Sequence, residues 1–186
     1  MKILDLLLTV SELKKLKRTG WVREGVPNSE TVAEHMFRIS FMSLVLAPKS
    51  LDMEKLLKMA IVHDTTEAFA GDIVWSRGTK IHRDIKLKKE KLEREAMIKM
   101  CEDLEDGKEL FEIWSDYIAQ TSKEARFLKE VEKLDLALKA YEYEKEHNLD
   151  LKEFYANAKM YLREPDLVKL FGEIQELRKK KNGNKK

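Results

Sequence analysis

Two imidazoles and two carboxylates stand where a helical protein would carry apolar side chains: His35, His63, Asp64 and Asp135. His63 follows His35 by 28 residues, and Asp135 follows Asp64 by 71. Around His63 the inward stripe reads Leu56, Ala60, His63, Glu67, so a core face turns ionisable toward one end. Asp135 sits among Phe127, Leu128, Val131, Leu134, Leu138 and Tyr141, whereas Glu130, Glu132 and Glu142 fall off that stripe and read as surface acids. His35 shares a face with Val32, Met36 and Ile39. Each residue alone has an ordinary explanation: a hydrogen-bonded core histidine, a satisfied His-Asp pair, an aspartate capping a neighbouring helix. Together they make a plausible inner sphere for one divalent cation, since Zn, Mn, Co, Fe and Ni all accept nitrogen and oxygen ligands. His82 and His147 lie in charged surroundings and take no role, which favours a one-metal site.

The elements that must position these groups read as helices throughout. Gly and Pro number only seven and three, and no stretch alternates long enough to make a good strand. The pattern predicts a helix from Lys2 to Lys17, a loop from Arg18 to Glu30, and a helix from Val32 to Leu46 opened by a Thr31/Glu34 capping box. Asp52 is expected to cap a helix that runs through His63 to Phe69 and stops at Gly71. After a loop to Lys80, helices are expected over Ile81–Leu104 and Lys108–Gln120. A second capping box, Thr121/Glu124, should open a helix ending near Glu146. Asp150 would cap a short helix, and Pro165 would begin the last one. The reading is a single all-α domain over residues 1–178. A basic tail follows at 179–186, in a segment where six of the nine residues from Arg178 are Lys or Arg.

Composition narrows the classes. A chain of 186 residues can bury one sizeable core. Its 36 basic and 34 acidic residues leave +2, which argues against a nucleic-acid-binding face. No apolar run approaches the ~20 residues that cross a bilayer, so no membrane partner is expected. The run Ile3 to Val10 is broken by Asp5 and followed by no small-residue cleavage site, so it reads as a core helix. The single Cys101 excludes an internal disulfide framework and fits a reducing cytoplasm.

The run His63 to Asp72 has the form H-D-x-x-E-x-x-x-G-D, preceded by Ser29–His35 (SETVAEH) and Arg18–Trp21 (RTGW). This combination resembles the HD-domain metal-dependent phosphohydrolases, and among them the 5′-deoxynucleotidase branch, over roughly Leu13 to Glu144. The resemblance implies an all-α fold and hydrolysis of deoxyribonucleoside 5′-monophosphates with one divalent metal per chain, Co, Mn or Zn foremost and Fe or Ni also possible. His35, His63, Asp64 and Asp135 would be its ligands. Arg18 would clamp the phosphate, Glu67 would handle protons, and Asp72 would meet the sugar 3′-hydroxyl or assist proton transfer. Trp21 would pack on the sugar and exclude a 2′-hydroxyl, with Trp75 and Lys80 as further candidate pocket walls.

Three other readings remain open at this point. One is a phosphatase of broader or different specificity, a second is a non-catalytic helical protein stabilised by its metal, and a third is a plain helical binding module. The long amphipathic helices expected near residues 81–104 and from Pro165 offer apolar surface for a homodimer.

Overall fold

The computed structural model describes residues 1–183. The chain opens with α1 (Ile3–Ser11), which buries only Leu6 and passes into a 3-10 turn at Glu12–Lys14. The expected helix to Lys17 ends early because the backbone finds other partners: Val32 N–H donates to Leu16 O at 2.9 Å and Arg18 N–H to Glu30 O at 3.1 Å. The expected Arg18–Glu30 loop contains a short helix, α2 (Thr19–Arg23). Helix α3 (Val32–Leu46) begins at the anticipated capping box, with Glu34 N–H donating to Thr31 Oγ1 at 3.2 Å and Thr31 N–H donating to Glu34 Oε2 at 2.7 Å.

Helix α4 (Met53–Val62) is capped by Asp52, whose Oδ1 accepts from Lys55 N–H. It does not continue to Phe69. At Thr65 the hydroxyl and the amide both donate to Val62 O, at 2.8 and 3.2 Å, and the chain tightens into a turn before α5 (Glu67–Ala70). Gly71 then takes φ +77°, which only glycine adopts without strain. The following loop holds a small antiparallel hairpin, β1 (Ser76–Arg77) and β2 (Lys80–Ile81), turning through Gly78. Asn157 Nδ2 donates to Gly78 O at 2.8 Å and ties this hairpin to the far end of the chain.

Helices α6 (Arg83–Cys101) and α7 (Gly107–Ala119) lead to α8 (Lys123–His147), which packs against α3, α4, α7, α9 (Lys152–Tyr161) and α10 (Pro165–Gly183). Fully buried Leu128, Val131, Leu134, Ala137 and Ala140 run along α8 and meet Ile39, Leu56 and Met59 in one core. The α8 N-cap is Ser122, one residue later than expected. Thr121 Oγ1 donates instead to Asp116 Oδ1 at 2.5 Å, and Glu124 Oε1 accepts from Asp52 N–H at 3.0 Å. Helix α10 runs past the expected boundary at 178. Lys179–Gly183 are helical, and the Lys181 ammonium donates to Glu144 O. The rest of the expected tail, 184–186, lies outside the described residues. No helix among the described residues is long and apolar enough to cross a membrane.

Candidate active site

The end of α4, the first turns of α3 and the middle of α8 converge beside a cavity of about 630 Å³. His35 enters from α3, and its Nδ1 lies 2.9 Å from Asp135 Oδ2. His63 ends α4, with Nδ1 2.8 Å from Ala60 O. A carbonyl can only accept, so His63 donates through Nδ1, and Nε2 is the ring atom turned toward Asp64. The Nε2 atoms of both rings are buried and have no hydrogen-bond partner. They lie 3.8 Å (His35) and 3.4 Å (His63) from Asp64 Oδ2. Two orphaned imidazole nitrogens and a carboxylate oxygen, mutually within 4.8 Å, fit the donor set of a divalent cation. Burial opposes ionisation of Asp64, but the charges of His63, His35 and Lys89 hold its carboxyl well below the usual range.

Asp135 meets the site through His35: its Oδ2 faces His35 Nδ1 and its Oδ1 accepts from Arg38 Nε. Neither Asp135 nor His35 lines the cavity, and Asp135, His35 and Glu30 form a second group whose ligand atoms lie within 4.8 Å of one another. The acid that α8 does turn to the cavity is Glu132, one turn earlier, which the sequence reading put on the surface. Its side chain is 13% exposed and accepts from Tyr117 Oη (2.6 Å), Lys129 Nζ (2.7 Å) and Lys133 Nζ (3.1 Å). The Tyr117 ring in turn lies edge-on to His63 at 5.3 Å. Burial, and then the neighbouring Lys129 charge, bring the Lys133 ammonium down to about 8 despite the Glu132 carboxylate.

Glu67, on α5, is 2% exposed and lines the cavity. Its Oε1 accepts from Lys89 Nζ at 3.0 Å, while Oε2 is buried with no partner. Burial, then the nearby Asp64 charge, raise its pKa well above the ordinary value. Lys89 also reaches Glu93 Oε1 at 3.3 Å, and burial pushes the Glu93 carboxyl up to about 7. Arg18 Nη1 is 3.4 Å from Asp64 Oδ2, and its Nε is 4.0 Å from Glu30 Oε1. Burial alone would lower its pKa, but Asp72, Asp64, Glu67 and Glu30 raise it, and the guanidinium is permanently charged.

Asp72 lines the cavity and caps α2, its Oδ2 accepting from Thr19 N–H at 2.5 Å. Trp21 reaches the cavity wall but is 1% exposed. The indole stacks on Phe154 at 4.3 Å and donates from Nε1 to Glu30 Oε1 at 2.9 Å. Trp75 lines the cavity with Lys86 Nζ 5.4 Å from its ring centre, whereas Lys80 is exposed and does not. The sequence reading missed Lys89, Glu93, Lys129, Glu132 and Lys133. Among so many lysines and glutamates, no spacing separates these from solvated ion pairs.

A family model described as "HD domain" matches residues 10–174. The chain is 34% identical over 177 residues to the 5′-deoxynucleotidase HDDC2 of Homo sapiens, covering 93% of this chain and 84% of that one. It is 38% identical over 160 residues to the 5′-deoxynucleotidase HDDC2 of Dictyostelium discoideum, covering 80% and 82%. Among solved structures, the PH0347 protein of Pyrococcus horikoshii OT3 superposes with a TM-score of 0.77 at 32% identity, covering 94% of this chain and 99% of that one. With the match running through every element that carries the cavity, the chain belongs to the HD-domain family.

Proposed function

We propose that the protein is a metal-dependent 5′-deoxynucleotidase, hydrolysing deoxyribonucleoside 5′-monophosphates to deoxynucleoside and phosphate. The carrying observation is one cavity lined by His63, Asp64, Arg18 and a Glu67 oxygen with no other use, with the unpartnered Nε2 of His35 3.8 Å from Asp64 behind it. The HDDC2 relatives, named as 5′-deoxynucleotidases, support the same reading. His35 and His63, through Nε2, and Asp64 would hold one divalent cation of the Co, Mn or Zn kind, with Fe and Ni also compatible. Asp135, offered by its spacing as a fourth ligand, is better supported as the group that orients His35. When bound, the cation supplies a Lewis acid that polarises a phosphoryl oxygen.

The chain's own groups do the rest. Arg18, fixed beside Asp64 and Glu30, offers N–H donors to the phosphate. Water oxygen bonds to phosphorus as the bond from phosphorus to the 5′-oxygen breaks. Glu67 gives its proton to the departing 5′-oxygen and regains one from the attacking water, ready for the next turnover. Asp72 is placed in this reading to meet the sugar 3′-hydroxyl. Trp21, its N–H already committed to Glu30, would act on a 2′-hydroxyl by bulk alone. A purely structural metal site would need neither Glu67 Oε2 nor Arg18 in the cavity, which counts against a non-catalytic protein.

The decisive experiment takes chelator-stripped protein, adds Mn²⁺, Co²⁺ or Zn²⁺, and follows phosphate release from deoxyadenosine and adenosine 5′-monophosphates. Metal-restored release from the deoxy compound is expected, abolished in Asp64→Ala and lowered about 10²–10⁴-fold in Glu67→Gln. Equal rates on both nucleotides would replace the deoxy reading with a broader phosphomonoesterase. No release from either would end the nucleotidase reading.

A homodimer is also proposed, on different surfaces from those the sequence suggested. The densest exposed apolar rows are Phe37, Phe41, Leu44 and Val45 on α3, and Ile3, Leu4, Leu7 and Leu8 on α1. Sedimentation giving a 21.9 kDa monomer at micromolar concentration would remove this proposal. A cytoplasmic location fits a lone Cys101 whose thiol is pushed up by burial.

A further inference from the structure

The cavity is not uniformly balanced in charge. Lys89 lies between two carboxylates, Glu67 and Glu93, and Arg18 lies near two more, Asp64 and Glu30. On α8 the relation is reversed. Lys129 and Lys133, one turn apart, share the single carboxylate of Glu132 at 2.7 and 3.1 Å. The third partner of that carboxylate is the Tyr117 hydroxyl, which is neutral. The side chains of Lys129, Glu132 and Lys133 are only 22%, 13% and 11% exposed. Two ammoniums and one carboxylate leave a surplus positive charge in a sheltered wall, and such a charge destabilises the fold until an anion meets it.

Both ammoniums also keep donors in reserve. Beyond Glu132, Lys133 is held by the face of Tyr161, 5.2 Å from its centre, and this contact uses no N–H. The wall belongs to the cavity of His63 and Asp64, and Tyr117 connects it directly to the His63 ring. We propose that Lys129 and Lys133 form a phosphate-recognising subsite on α8 that holds the phosphoryl group of the nucleotide and, after hydrolysis, inorganic phosphate. The identification of the anion as a nucleotide's phosphoryl group rests on the function proposed above. The surplus charge itself does not.

The test measures inorganic phosphate on the chelator-treated full chain, by calorimetry and by the rise in melting temperature with phosphate concentration. Lys133→Met and Lys133→Gln should weaken phosphate binding about ten- to hundredfold, the loss of one charge-assisted hydrogen bond. Lys133→Arg should retain most of it. Without phosphate, the Met variant should melt no lower than the parent, because a surplus charge has gone. In the metal-loaded enzyme, KM for deoxyadenosine 5′-monophosphate should rise more than kcat falls.

Unchanged phosphate affinity with a lowered melting temperature would make Lys133 a structural partner of Glu132 and overturn the subsite. Failure of both neutral variants to fold would do the same. Phosphate binding that depends on Lys133 in a protein inactive on nucleotides would uphold the subsite and sink only the nucleotidase reading.

Discussion

At the scale of single residues, the site separates groups that meet a ligand from groups that hold those groups still. On the function proposed above Asp135 is assigned to the second kind, with one oxygen on His35 Nδ1 and the other on Arg38. Asp135→Asn should therefore weaken divalent-metal affinity by roughly 10–100-fold while leaving one equivalent bound at saturation. Complete loss of binding, as expected for Asp64→Ala, would make Asp135 a direct ligand after all.

Glu93 offers a test of burial. Its folded pKa is about 7 against an ordinary 4.5, so the folded chain holds the proton more tightly than the unfolded one. Stability must then fall as pH rises between those values, with the full penalty above 7 and none below 4.5. Glu93→Gln should raise stability at pH 8 by on the order of 2–3 kcal/mol and change little at pH 4, checked by denaturant melts at both. The cost to Glu67, which shares Lys89, would be read in the same protein as a changed pH profile of kcat.

At the scale of elements, two capping boxes that look alike in sequence behave differently. Thr31 with Glu34 closes both of its bonds. Thr121 with Glu124 closes neither, because Asp116 and the Asp52 amide claim those side chains from across the fold. Thr31→Ala should cost about 1 kcal/mol of stability, and it should disturb metal binding as well, since His35 sits one turn further along α3. Urea melts in the apo and metal-loaded states would separate the two effects.

The pattern of apolar residues made the helices and the fold class legible, along with the polar breaks in the core stripe at His35, His63, Asp64, Glu67 and Asp135, whereas Arg18 rested on the motif resemblance. It could not show that α4 breaks after Val62. That break depends on the Thr65 hydroxyl and amide turning back onto a carbonyl, a local competition that helical periodicity does not register. Nor could it separate Glu132 from Glu130: the first accepts from Tyr117 of α7, Lys129 and Lys133, the second from the amides of Arg163 and Glu164.

At the scale of the whole molecule, α8 is the spine, and Glu144 is where the last two helices are fastened to it. Arg178 meets Glu144 through two bonds of 2.8 Å, and Leu151 N–H and Tyr155 Oη use the same carboxylate. Glu144 is 2% exposed. Arg178→Met would leave it buried and short of its countercharge, and should destabilise the fold by about 3 kcal/mol, measured by thermal or urea unfolding.

The wall of the cavity also draws on distant parts of the chain: Arg18 from its start, the hairpin from its middle, and Phe154 and Tyr161 from α9. By contrast, His35, His63 and Asp64 all lie within the first 64 residues, and the group that aims His35 comes from residue 135. On the function proposed above, then, the residues assigned to the cation emerge from the ribosome well before the one assigned to align them and long before the chamber that would admit a nucleotide. A nascent chain can grip metal only loosely, through imidazoles still free to turn. On that assignment the affinity would tighten as α8 docks, and the ion itself would report how far folding has gone.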